Sequence, residues 1–91
     1  ILEVMKQYPN MEIDVRSHTD SRQTKIYNLV LSDKRVKSTI KWLIANGVEA
    51  KRLTGKGYGE SQLVNKCADD IPCTEEEHQA NRRSEFIITK L

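Results

Sequence analysis

Aromatic residues make up only 5% of the 91-residue chain, too few to build the stacking platform on which single-stranded nucleic acid is held. Long apolar runs are absent too. Nothing approaches the roughly 20 residues needed to cross a bilayer as a helix, and the start carries neither an initiator Met nor a basic-then-apolar leader, so the chain reads as a soluble piece cut from a longer precursor. With four glycines and two prolines there is no flexible linker, low-complexity tract or repeat. Strong charge of one sign is lacking as well: 15 Lys and Arg against 13 Asp and Glu leave +2, too little to draw the chain onto a polyanion by bulk charge. Lys34, Lys37 and Lys41 follow one helix edge, which reads as a solvated face. What remains is 37% hydrophobic, enough for one modest core, so residues 1–91 are taken as a single domain.

Cysteine is scarce. Cys67 and Cys73 stand in a polar segment without hydrophobic periodicity, where a buried thiol would be out of place. A loop disulfide fits that setting and implies an oxidising compartment. Two free cytosolic thiols are the alternative. A zinc set of His18, Cys67, Cys73 and His78 is disfavoured, because five residues between the cysteines exceed the usual two to four and His18 sits on another element.

Along the chain, Ile1, Leu2, Val4, Met5 and Tyr8 recur at helical spacing until Pro9-Asn10 breaks the pattern. Met11, Ile13 and Val15 then alternate with Glu12, Asp14 and Arg16, predicting a half-buried strand that ends at Arg16. After the polar stretch 17–23, Leu29, Val36, Ile40, Leu43 and Ile44 predict the main helix and its core face. It begins between Thr24 and Tyr27 and stops at Asn46-Gly47; Ser32-Asp33 is a second candidate cap, which leaves a kink there open. Arg52 to Gly59, with three glycines, predicts a strand where backbones pass closely. Strand, helix and strand make a right-handed crossover with the strands parallel. Residues 60–70 predict a surface loop, Thr74-Glu75-Glu76-Glu77 has the form of a capping box opening a short helix to about Arg82, and Ser84 to Leu91 predicts a last strand with Phe86 and Ile88 on the core face.

Chemistry concentrates after the first strand. The loop holds His18, Thr19 and Asp20, and the helix behind it carries Asn28, Ser32 and Arg35 at spacings of four and three, hence on one face. A loop carboxylate facing an arginine can hold a zwitterion, because Asp accepts from an ammonium while Arg forks onto a carboxylate; an internal Asp20–Arg35 salt bridge is the plainer alternative. Catalysis by His18 and Asp20 lacks a placed nucleophile and an oxyanion hole.

Several stretches together, Ser17-His18-Thr19-Asp20, Tyr27-Asn28 with Leu31-Ser32 and Arg35, Gly47-Val48 with Arg52-Leu53, Gly57-Tyr58-Gly59-Glu60 and Asn81-Arg82-Arg83, resemble the OmpA-like peptidoglycan-associated domain. That family is shared by outer-membrane porins, Pal lipoproteins and flagellar stator proteins. The resemblance runs from Met11 to the C-terminus in order and spacing. It implies an α/β sandwich, a small mixed sheet with helices on one side and a βαβ core. By similarity, Asp20 and Arg35 clamp the ammonium and carboxylate of diaminopimelate in a peptidoglycan stem peptide, Thr19 offers backbone or hydroxyl contacts, and Asn28, Asn81 and Arg82 support or line the pocket. Arg82 serving mainly to orient Asp20, or to tie the last helix to the loop, is equally open.

Two departures stand out. Ser17 takes a place where the family usually has Gly, and the family's first strand has no counterpart ahead of Ile1. The expectation is therefore a non-enzymatic module of the Gram-negative periplasm, without cofactor, nucleic-acid partner or membrane insertion of its own, that tethers an outer-membrane parent to the cell wall. A periplasmic protein–protein adaptor on the same fold is the alternative.

Overall fold

A computed structural model describes all 91 residues. Its elements in chain order are α1 (Leu2–Gln7), β1 (Glu12–His18), α2 (Lys25–Ala45), a 3-10 turn (Ala50–Arg52), β2 (Leu53–Gly59), α3 (Glu75–Asn81) and β3 (Arg83–Lys90). The three strands form one mixed sheet in the order β2-β1-β3, with β1 parallel to β2 and antiparallel to β3. The parallel pair is the expected βαβ unit, and α2 lies over β2 and β1.

The core joins Met5 of α1, Met11, Ile13 and Val15 around β1, Val36 and Leu43 of α2, Val48 and Leu53, with Leu2 and Ile40 packed against it. Strand β1 runs two residues beyond its predicted end because Ser17 and His18 still pair with Gly57 and Gly59 on one side and with Ser84 and Arg83 on the other. A central strand is enclosed whatever its side chains, so loss of alternation did not mark its end.

Helix α2 is continuous, with Thr24 as its cap accepting from the Tyr27 N–H at 3.1 Å. Ser32 starts no second helix; its hydroxyl donates to the Leu29 carbonyl at 3.0 Å and accepts from the Gly59 N–H at 2.9 Å. The buried stripe is Asn28, Ser32, Val36 and Leu43, polar at one end and apolar at the other. Leu29 and Ile44, expected in the core, flank that stripe and stay 49% and 42% exposed.

Phe86 and Ile88 likewise depart from expectation. They lie directly across from Val15 and Ile13, yet are 37% and 52% exposed. The reason is topological: β3 is an edge strand and α2 covers the other two.

Arg52 fastens α1 to the sheet. Only 6% exposed, it donates to the carbonyls of Met11 at 2.9 Å, Met5 at 2.7 Å and Tyr8 at 2.8 Å. Replacing it with Met keeps the stem and removes all three bonds, although the Tyr8 carbonyl still accepts from the Met11 N–H at 3.0 Å, so Arg52→Met should lower the unfolding free energy by about 2–4 kcal/mol in urea titrations.

Cys67 and Cys73 are bonded to each other, closing the expected surface loop. Reduction should lower stability by about 2 kcal/mol, the loop-entropy value for so short a ring, read as a shift in the denaturation midpoint with and without reductant. A bonded pair is not available to a metal, and the Nε2 of His18 lies 2.7 Å from Glu85.

Candidate functional site: a charged cavity at the head of helix α2

Strand β1 ends in a polar loop whose backbone is pinned on three sides. The Thr19 N–H donates to the Gly59 carbonyl at 2.8 Å, and the Thr19 hydroxyl donates to the Asp20 carbonyl at 2.8 Å. From α2 the Asn28 amide donates to the carbonyls of Asp20 at 3.1 Å and Gln23 at 3.3 Å, and to Glu60 at 3.3 Å. Beneath the loop, His18 is 1% exposed and stacks on Tyr58 at 5.4 Å between ring centres. It is a support for the loop rather than part of the opening above it.

That opening is a cavity of about 350 Å³ in which Thr19, Asp20, Asn28, Arg35 and Arg82 meet, with Arg22 beside them. Asn81 does not line it. Fully buried, Asn81 accepts from the Val64 N–H at 2.7 Å and donates to Asn65 at 2.9 Å, which anchors the 64–65 segment to α3.

Asp20 is enclosed and heavily bonded. Its Oδ2 accepts from Arg22 Nε at 3.2 Å, from an Arg22 terminal nitrogen at 2.9 Å and from Arg82 at 2.6 Å, while Oδ1 accepts only the Arg22 backbone N–H at 3.0 Å. Glu75 closes the ring by accepting from Arg22 at 2.6 Å and Arg82 at 2.5 Å. Two carboxylates thus alternate with two guanidiniums, and α3 is tied to the loop through them. Arg82 also donates to Gln79.

Arg22 was not legible as a site residue. Its one signal was its place two residues after Asp20, the spacing at which an Asp side chain accepts from the backbone.

Arg35 is outside this ring. It is exposed, and its guanidinium has no hydrogen-bond or ion-pair partner in the protein. The internal Asp20–Arg35 salt bridge is therefore not formed; Arg22 and Arg82 take that place.

Burial alone would push the Asp20 carboxyl upward, but the bonds from Arg22 and Arg82 outweigh it and hold the pKa at about 2, below the ordinary 3.8. A lowered folded-state pKa adds stability that is fully present above the unfolded value and lost as pH falls through the folded one. Between pH 5 and pH 2 the wild type should accordingly lose about 2 kcal/mol more unfolding free energy than Asp20→Asn, which cannot titrate there. Parallel losses would mean that the ring does not stabilise the ionised carboxylate.

The profile of the OmpA family matches residues 1–82 of the chain. The chain belongs to the OmpA family. Among its relatives, the peptidoglycan-associated lipoprotein of Agrobacterium fabrum is 38% identical over 84 residues, 92% of this chain and 45% of the lipoprotein. Outer membrane porin F of Pseudomonas aeruginosa is 41% identical over 89 residues, 97% of this chain and 24% of the porin. The OmpA-family chain thus spans less than half the length of either relative.

Among solved structures, the peptidoglycan-associated lipoprotein of Burkholderia pseudomallei superposes with a TM-score of 0.82 at 25% identity, covering 97% of this chain and 70% of that one. The cell wall anchor of the T6SS from Pseudomonas aeruginosa gives 0.77 at 25% identity over 96% and 59%. The open mixed sheet with its βαβ unit is the OmpA-family fold, as the sequence motifs implied.

Proposed function

We propose that this domain binds peptidoglycan without turnover, holding the zwitterionic end of diaminopimelate in the cavity between Asp20 and Arg35. On this reading it anchors an outer-membrane parent to the wall from the periplasm of a Gram-negative cell. The observation that carries it is the pairing of an ionised Asp20, whose Oδ1 has only one donor, with an Arg35 guanidinium that has no protein partner, both lining one cavity. The ligand ammonium donates to Oδ1, and the ligand carboxylate accepts the fork of Arg35. Arg22, Arg82, Thr19 and Asn28 hold the Asp20 loop in place and do not need to touch the ligand. The names of the relatives support the wall as partner, since they include peptidoglycan-associated lipoproteins and a cell wall anchor.

Cosedimentation with insoluble peptidoglycan tests the proposal. The domain should pellet with diaminopimelate-type wall and far less with lysine-type wall, whose side chain lacks the second carboxylate. Equal pelleting with both would remove the zwitterion clamp while leaving wall binding. Protein that stays in the supernatant with both would replace the reading with that of a protein–protein adaptor.

A further inference from the structure

Beside the Asp20–Arg35 cavity lies a second one, also of about 350 Å³, that shares Arg35 and Arg82 with it and is otherwise lined by Ser17, Arg83 and Ser84. It opens beside α2, over the junction of β1 and β3. Ser17 follows Ile13 and Val15 on the face of β1 that carries the core, and Ser84 lies directly across from it on β3. No carboxylate lines this second cavity.

Two independent observations point to a ligand here. Ser17 is only 2% exposed, and its hydroxyl bonds to no protein group although it is not sealed off from solvent. The surface it keeps belongs to this cavity. A polar group so deeply enclosed normally has a partner, because leaving it without one is costly. The family usually has Gly at this place, so the hydroxyl is an addition of this chain's own. The second observation is a charge left over. Asp20 and Glu75 cancel Arg22 and Arg82 in the ring, Arg83 is offset by Glu85 at 3.5 Å, and the zwitterion of the first cavity brings no net charge. The positive charge of Arg35 is therefore unbalanced even when the clamp is filled, and Arg35 borders both cavities. An anion beside it is favoured, and the two serine hydroxyls can donate to one.

We infer that the second cavity is a carboxylate subsite, which takes a further carboxylate of the stem peptide while the first cavity holds the zwitterionic end of diaminopimelate. The inference rests on the proposed clamp and extends it. Ser17 and Ser84 donate to the carboxylate, and the leftover charge of Arg35 draws it in. A stem tetrapeptide offers two such groups within a residue of diaminopimelate: the free C-terminal carboxylate of the alanine that follows it, and the α-carboxylate of the γ-linked glutamate that precedes it.

Calorimetry with the tetrapeptide in four forms tests the subsite: unmodified, amidated at the C-terminus, amidated at the glutamate α-carboxylate, and amidated at the free diaminopimelate carboxylate. One of the first two amidations should weaken binding to the wild type about 10-fold, the scale of one hydrogen bond to a charged group, and which one does so names the carboxylate. Ser17→Ala should bind the unmodified peptide about 10-fold more weakly than wild type and lose little more on that amidation. Exchanging an unpartnered hydroxyl for a hydrogen breaks no bond within the protein, so the fold is kept, and the wild-type comparison needs no variant at all. Amidation of the diaminopimelate carboxylate should weaken wild type and Ser17→Ala alike, since it acts at the clamp. A wild type indifferent to both of the other amidations would overturn the subsite and leave the clamp standing, as would a Ser17→Ala protein that responds to them as fully as wild type does. A wild type that binds none of the four forms would bring down the clamp itself, an outcome distinct from the loss of the second carboxylate.

Discussion

Arg35→Ala should weaken binding of diaminopimelate-containing peptides by about 2–5 kcal/mol, the range for truncating one partner of a desolvated charged contact, with no loss of fold. The two halves of that expectation have separate causes. The Arg35 guanidinium has no partner within the protein, so its removal orphans nothing. Asp20→Ala should reduce binding as strongly, but it also leaves Arg22 and Arg82 without the carboxylate between them, so its urea midpoint should fall. Amidating the ligand carboxylate should match Arg35→Ala in effect and add little to it, because both delete the same interaction. A folded Arg35→Ala protein that bound the peptide as tightly as wild type would end the zwitterion clamp.

The contrast between Arg35 and Arg82 shows how far a sequence can be read. Both stand in recognisable motifs, and both reach the same cavity. That one is unpartnered while the other is bound to Asp20, Glu75 and Gln79 depends on how α3 docks against the loop, which no local pattern encodes. Local signals were read well where the physics is local. The capping box at Thr74 has both of its bonds, and the alternation of β1 puts Met11, Ile13 and Val15 in the core. The failures are equally physical. Leu29 is apolar at helical spacing, but the buried stripe there is made of Asn28 and Ser32, whose polar groups find partners in the loop and at the end of β2. Phe86 alternates correctly, yet burial on an edge strand depends on what covers the edge, a tertiary fact. Asn81 belongs to a motif next to the site but faces the 64–65 segment, since the last turn of α3 points it away from the cavity.

Gly57→Ala should destabilise the domain by about 3–5 kcal/mol, a large part of the ~5–14 kcal/mol expected for a chain of this length. A Cβ at Gly57 would overlap the backbone of α2 at Ser32 and Asp33. A rotamer change can relieve a side-chain clash; here the helix itself must move. Gly47→Ala is the matched control: φ is 104°, so an L residue is strained, but nothing lies within 4 Å of the added carbon. Strain without a clash should cost only about 1–2 kcal/mol. The two variants therefore separate close packing from backbone conformation, and similar midpoint shifts for both would mean that α2 can yield at Ser32 without loss. The consequence reaches the site. Ser32 holds α2 to Gly59, and the same half of the helix carries Asn28 and Arg35. Pushing it outward loosens the Asp20 loop and carries Arg35 away from Asp20. Gly57→Ala protein that remains folded at low temperature should then bind the stem peptide more weakly than wild type, although residue 57 does not line the cavity; unchanged affinity would show that α2 yields elsewhere along its length.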